Sequence, residues 1–293
     1  MARLGRGLLT RKLKVGRTAS LAPRPAPATI LTTVSIARQV NKPGTAVTVL
    51  TTVTITPVAI RPVVAVGTLV TAVGTPAQAT LTVSPAALGN LLCLAAETKF
   101  TAGQNYFVTG VSGGGVAEWT RRVQLLPDAQ AVHEITIWTG IVSAPGAGLT
   151  LTATYSNPGT VSTTLNCHEF QPLAGSNTTW AFDVGATASN AASTSPPYPS
   201  LTPTVPYTSE LYFGFIQWPG SGSGGGTPGC IYQTDANGNQ CVYNTGVSAT
   251  IQPLASSASQ VSSTAAVLMR AGPVKPLSPA FGMAQSVQRA GSW

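Results

Sequence analysis

Glycine and proline interrupt this chain too often to leave room for long helices: thirty Gly and twenty-three Pro fall among 293 residues. The intervening stretches are rich in Thr, Val, Ala and Ser, and their β-branched share favours extended strands. Only 8% of residues are charged, against roughly 25% in ordinary soluble domains. A surface so poor in charge is solvated by hydroxyls or covered by neighbouring subunits. The expected fold class is all-β, an antiparallel β-sandwich of jelly-roll type, in one large domain or two smaller ones.

The few charges are unevenly placed. The first ninety-six residues hold ten Lys/Arg, all between Arg3 and Arg61, and the first acid is Glu97. Beyond Arg61, six bases meet eight acids. An acid-free arm repels copies of itself and buries little alone, so it needs partners. Arg3, Arg6, Arg11, Lys12, Lys14, Arg17 and Arg24 are the candidate partner contacts. Docking on protein is favoured over contact with packaged DNA, because the arm has no aromatic residue on which bases could stack. The N-terminus lacks the apolar core of a signal peptide; its Arg-rich character resembles an organelle transit peptide, but retention as an arm is expected. No run of eighteen apolar residues occurs, so no membrane span is expected.

Four segments follow from this reading. Residues 1–28 form a basic arm held extended by Pro23, Pro25 and Pro27. Residues 29–83 form a Thr/Val-rich β segment cut by Pro43, Pro57, Pro62 and Pro76. In it, Val47, Val49, Thr51, Val53 and Ile55 share one strand face, and Thr48, Leu50, Thr52 and Thr54 the other. Both faces are half apolar and no aromatic residue is present, so the segment is expected to anchor or oligomerise the chain. Residues 84–255 form the sandwich and 256–293 a Ser/Ala/Pro-rich tail. Strands are expected over 91–97, 106–111, 116–125, 132–141, 149–155, 162–170, 179–184, 210–218, 230–233, 240–243 and 247–251. Residues 185–208 and 219–229 read as exposed loops. All five Trp lie at or beyond Trp119, which puts the core in this part.

Cys93 and Cys167 sit in apolar strand contexts and read as small hydrophobes. Cys230 and Cys241 bracket an Asn237-Gly238 hairpin turn that brings them near one another, making them the candidate disulfide. Gly110-Val-Ser112-Gly-Gly114 matches the hydrolase nucleophile elbow, but Val116-Ala-Glu-Trp follows and the stretch reads as a hairpin. Gly220 to Gly225 spells a dinucleotide fingerprint without the helix it needs. His133-Glu134 and His168-Glu169 invite a divalent metal, yet strand alternation sends each His and its Glu to opposite faces. Asp235-Ala-Asn-Gly-Asn239 reads as a turn rather than a calcium loop, and Asn177-Thr-Thr is a glycosylation sequon in spelling only. No catalytic, cofactor or metal residue is assigned, and an enzyme is not expected.

The opening Met1-Ala-Arg-Leu-Gly-Arg-Gly-Leu-Leu-Thr-Arg-Lys-Leu13 resembles the starts of minor tail proteins of tailed phages that infect actinobacteria. Gly89 to Glu97, Val111 to Gly115 with Trp119, Glu134 to Trp138, and Leu149 to Asn157 are similar to a β-sandwich module of phage virion proteins. The resemblance covers residues 86–252 and the first dozen, and it carries over a pattern of strands rather than a site. It implies a virion structural protein at the tail or tail tip, docked on other virion proteins by its arm and oligomerised, with a trimer favoured. It also implies loops that face the host envelope. The competing readings are a head decoration or head-fibre protein anchored on the capsid, and a secreted carbohydrate-binding module contacting cell-wall glycan. Trp180, Trp218, Tyr198, Tyr207 and Tyr212 are the aromatic candidates for that last reading if exposed.

Overall fold

The computed structural model describes residues 63–74, 78–100, 106–126, 133–156, 162–172, 178–205, 209–217, 224–256 and 258–273. The seven basic residues proposed as partner contacts, with residues 1–62, lie outside them. The described chain is all-β. Its strands are β1 (Val63–Gly74), β2 (Gln78–Val83), β3 (Leu91–Lys99), β4 (Val108–Gly113), β5 (Val116–Leu125), β6 (His133–Val142), β7 (Leu149–Tyr155), β8 (Ser162–Pro172), β9 (Thr178–Ser193), β10 (Glu210–Gln217), β11 (Ile231–Thr234), β12 (Gln240–Val247) and β13 (Gln260–Pro273). Among the described residues no helix is long and apolar enough to cross a membrane.

All pairings are antiparallel and build three sheets: a central sheet β1-β8-β3-β6-β5, an aromatic sheet β11-β12-β10-β13-β9 and a threonine sheet β2-β7-β4. The all-β antiparallel class expected from the sequence is the one found, with the central sheet covered on both faces. Leu91, Cys93, Ala95, Ile135, Ile137 and Phe170 pack against Phe213, Phe215, Tyr243, Val267 and Met269 of the aromatic sheet. Leu92, Leu94, Ala96, Trp138 and Leu165 point the other way, onto Leu81, Val83, Leu151 and Ala153 of the threonine sheet. Successive side chains of a strand alternate between faces, so a strand with both faces covered is apolar without a break. Leu91-Leu-Cys-Leu-Ala-Ala96 has that character, and the first eight residues of β3 are all buried.

A third core lies on the far face of the aromatic sheet. There Tyr212, Ile216, Val242 and Leu268 are capped by Tyr198, Leu201 and Ala255 from irregular segments. Backbone bonds pin this cover: Tyr198 N–H donates to Pro253 O (2.9 Å), Leu201 N–H to Ile251 O (3.0 Å) and Ala255 N–H to Pro196 O (3.0 Å). Tyr198 OH and Tyr212 OH donate to Gln240 O (3.2 Å) and Pro199 O (2.9 Å), so neither phenol is buried without a partner.

Three expected boundaries are corrected. Residues 63–74 and 78–83 belong to the body rather than to a separate anchoring segment: β1 pairs with β8 and β2 with β7. The two-faced apolar pattern of β1 suits the edge of a doubly covered sheet, with Ala65 and Leu69 turned to one core and Ala72 to the other. Residues 260–273 are not tail. They form β13, an interior strand between β10 and β9, and its Ser/Ala run marks close packing, with Ala265 and Ala266 fully buried. Residues 185–193 continue β9 as strand, and 194–205 lie partly against the third core. In the second loop Gly224, Gly226, Pro228 and Gly229 are exposed, while Gly225 is close-packed, for a side chain there would meet Leu254 O and the Tyr232 ring.

The cysteine pairing is corrected as well. The hairpin turn forms, with Thr234 opposite Gln240 and Gln233 opposite Cys241. That register sets Cys230 three positions away from Cys241 and on the other face. Cys241 joins the core under the central sheet, Cys230 lies against the third core, and all four cysteines are free. Thiol titration of unfolded, non-reduced protein is expected to find four free thiols, and a 230–241 disulfide by mass spectrometry would contradict the register. Phe213, fully buried against Phe170 at 6.1 Å, is expected to lose about 3–5 kcal/mol of stability as Phe213→Ala, measured by chemical denaturation.

Candidate functional site

Polar groups collect at one end of the body, where β3 and β10 end, β6 and β8 begin, and β11 turns into β12. Glu97 follows Leu91, Cys93 and Ala95 on the face that meets the aromatic sheet, so the strand carries its carboxyl inward. Glu97 Oε2 accepts a hydrogen bond from Asn239 Nδ2 (2.5 Å), and its Oε1 lies 3.8 Å from His133 Nε2. Gln217 Nε2 reaches the same His133 nitrogen at 3.4 Å. Asp235 shapes the turn: its Oδ1 accepts from the N–H groups of Asn237 (2.8 Å) and Asn239 (3.0 Å). Its Oδ2 accepts from Asn166 Nδ2 of β8 (3.1 Å), and Asn237 Nδ2 donates to Thr164 Oγ1 (2.9 Å). The cluster therefore ties β3 and β8 of the central sheet to the hairpin of the aromatic sheet, and β6 to β10. Burial raises the Glu97 pKa from 4.5 to about 7, and the nearby His133 and the Asn239 hydrogen bond hold back that rise.

Glu134 occupies the neighbouring rung, where it pairs with Thr98, but it faces the threonine sheet. Its Oε2 accepts from Val108 N–H (2.7 Å) and its Oε1 from Gln124 Nε2 (2.7 Å). Burial lifts its pKa to about 7 against the pull of those two hydrogen bonds, and it lifts the adjacent Tyr155 to about 12. Two carboxyls near neutrality normally suggest acid–base catalysis. Here a sheet separates them, so they cannot close on one substrate from the same cleft.

The two His-Glu dipeptides behave as strand alternation requires. His133 and His168 face the aromatic sheet. Glu134 and Glu169 face the other way, Glu169 accepting from Ala86 N–H (2.9 Å) and Asn90 Nδ2 (2.5 Å). His168 pairs across to Cys93 and His133 to Lys99. Six residues of β3 thus separate the imidazoles, about 20 Å at strand rise, too far to share an ion. His168 packs its ring on Phe170 (4.8 Å) and Tyr243 (4.9 Å), takes the Glu169 N–H on Nδ1 (3.1 Å), and is pushed down to about 4 by burial. Among the described residues no three His, Cys, Asp or Glu groups gather to hold a metal ion.

Ser112 lies in β4, and Gly114-Gly115 turn the chain directly into β5. The hydrolase spelling is therefore a strand–turn–strand, with Ser112 opposite Thr152 in the threonine sheet rather than beside a histidine. Of the aromatic candidates for glycan contact, Tyr198 and Tyr212 are fully buried and Trp180 is 8% exposed, its Nε1 donating to Gly89 O (2.9 Å). They are core residues; Trp218 and Tyr207 lie outside the described residues. Sequence reasoning missed Glu97, Gln217 and Asn239 as a unit. The available signal was Glu97 sharing a strand face with Leu91, Cys93 and Ala95. The chain matches no protein-family model, no curated protein and no solved structure.

The carboxyls set the pH dependence of stability. Glu97 and Glu134 both have folded pKa values above the unfolded one, so the fold binds their protons more tightly. Their favourable contribution is full below about pH 4.5 and is lost as pH rises through about 7, on the order of 3 kcal/mol each. His168 works in the opposite sense, destabilising as pH falls from about 6.5 through 4. Denaturation midpoints are expected to peak near about pH 5 and fall towards pH 8, and Glu97→Gln should remove about half of the fall above about pH 6.5, where His168 no longer contributes. Stability that rises from pH 5 to pH 8 would contradict the buried carboxyls.

Proposed function

We propose that this chain is a structural subunit of a phage particle, a minor tail protein that docks by its basic arm and carries the β body outward as part of a homo-oligomer. The observation that carries this reading is the division of charge. Ten bases and no acid precede Glu97, while the rest of the chain is nearly balanced. A cationic arm beside a charge-poor body suits a subunit whose arm is neutralised by neighbours. The body adds support as a platform: three sheets share two continuous cores, and its buried ionisable groups serve as cross-ties between layers. The opposed placement of Glu97 and Glu134 and the buried state of Trp180, Tyr198 and Tyr212 favour a building part over a glycosidase or a glycan-binding module with those aromatics as its platform.

The test is immunogold labelling of intact particles with antibody against the folded body. Label at the tail or its tip is the expected result. Label spread over the head would replace the tail reading with a capsid-anchored one, and absence from particles would overturn the structural role.

A further inference from the structure

An open sheet edge exposes unpaired N–H and C=O groups, and natural β proteins blunt such edges with bulges, charges, proline or short length. Six edge strands are present among the described residues. The pairing of β1 breaks register between Val66 and Val70, and that of β4 between Val108 and Gly110. The β5 pairing breaks twice, and the strand carries Glu118, Arg121 and Arg122. The β9 pairing is bulged beside Asp183, and β11 has only four residues. β2 has none of these devices. Gln78-Ala-Thr-Leu-Thr-Val83 pairs with β7 in unbroken register, without a charge or a proline.

The neighbourhood of β2 is equally unguarded. Val70 and Val73 of β1 are 38% and 51% exposed. A cleft of about 320 Å³ lies elsewhere on the body, but the one beside β2, about 240 Å³, opens between β1 and β2 onto Val83, Leu92 and Cys167 of the core and the half-buried Val66. Its one charged lining residue, Glu169, is held by hydrogen bonds from Ala86 N–H and Asn90 Nδ2. No charged residue occurs between Arg61 and Glu97. Two-fold contact sets each side chain near its own copy, so a charge there would repel itself. The strand also complements itself. Antiparallel pairing centred on Leu81 sets Thr80 opposite Thr82 of the second copy and Ala79 opposite Val83, and so keeps hydroxyls on one face and apolar groups on the other.

We propose that β2 pairs antiparallel with β2 of a second copy of this chain, joining two threonine sheets into one six-stranded sheet about a two-fold axis. This contact names the self-association surface and makes it two-fold, in place of the three-fold association that the sequence suggests. It stands independently of where the protein sits in a particle.

The experiment uses the full chain in a Cys230→Ser background. Thr80 and Thr82 are exposed, so Thr80→Cys/Thr82→Cys is expected to give a disulfide-linked dimer on mild oxidation, and Thr80→Cys alone at least tenfold less. Sedimentation of the parent chain should show dimers, and Thr80→Lys/Thr82→Lys should weaken association at least tenfold with an unchanged far-ultraviolet circular dichroism spectrum. A monomeric parent, a dimer indifferent to the lysines, or no cross-link would overturn the proposal.

Discussion

Burial of the central sheet on both faces is the constraint on which the rest of the body depends. β3, β6 and β8 supply side chains to two cores at once, so neither flanking sheet can be removed without exposing one of them. This explains why strands remote in sequence are drawn in. β13, formed from residues that look like linker, completes the interior of the aromatic sheet. β2 and β7 come together to cover the opposite face. The hydrophobic term rewards this arrangement, because each covered strand withdraws apolar area on two sides.

Double coverage also sets the chemistry of the few charged residues. A carboxyl on a central strand has no solvent-facing side to occupy, and it is satisfied from whichever layer it meets. Glu97 reaches across to Asn239, Glu134 to Val108 N–H, and Glu169 to Ala86 N–H and Asn90. Each joins elements far apart in sequence. These groups fix how the layers register on one another, and two of them do so at the cost of a pKa near 7. A proton held between layers is thus a consequence of architecture rather than a mark of catalysis.

Much of the strand pattern was legible in the sequence. Val116–Leu125 and Leu149–Tyr155 fall where alternation and glycine turns place them. The hairpin at Asn237-Gly238 forms as its turn chemistry demands, but its register is set by the Asp235 side chain and by packing, which spacing does not reveal. β13 was illegible because Ser and Ala read as linker when no neighbour is known, although small side chains are what a crowded interior strand needs. The third layer was hidden for a related reason: an unbroken apolar strand records that both faces are covered, not what covers them. The polar cluster followed the same rule, since Glu97 lies on a legible face while Gln217 and Asn239 meet it only through tertiary contact.

Native-state hydrogen exchange, resolved by residue, tests most directly whether the doubly covered sheet holds the body together. Amides of β3, β6 and β8 are expected to exchange only through global unfolding, with one common opening free energy. Opening of those strands at lower free energy than β10 and β13 would contradict it, by showing that the aromatic sheet stands without the layer it is packed against.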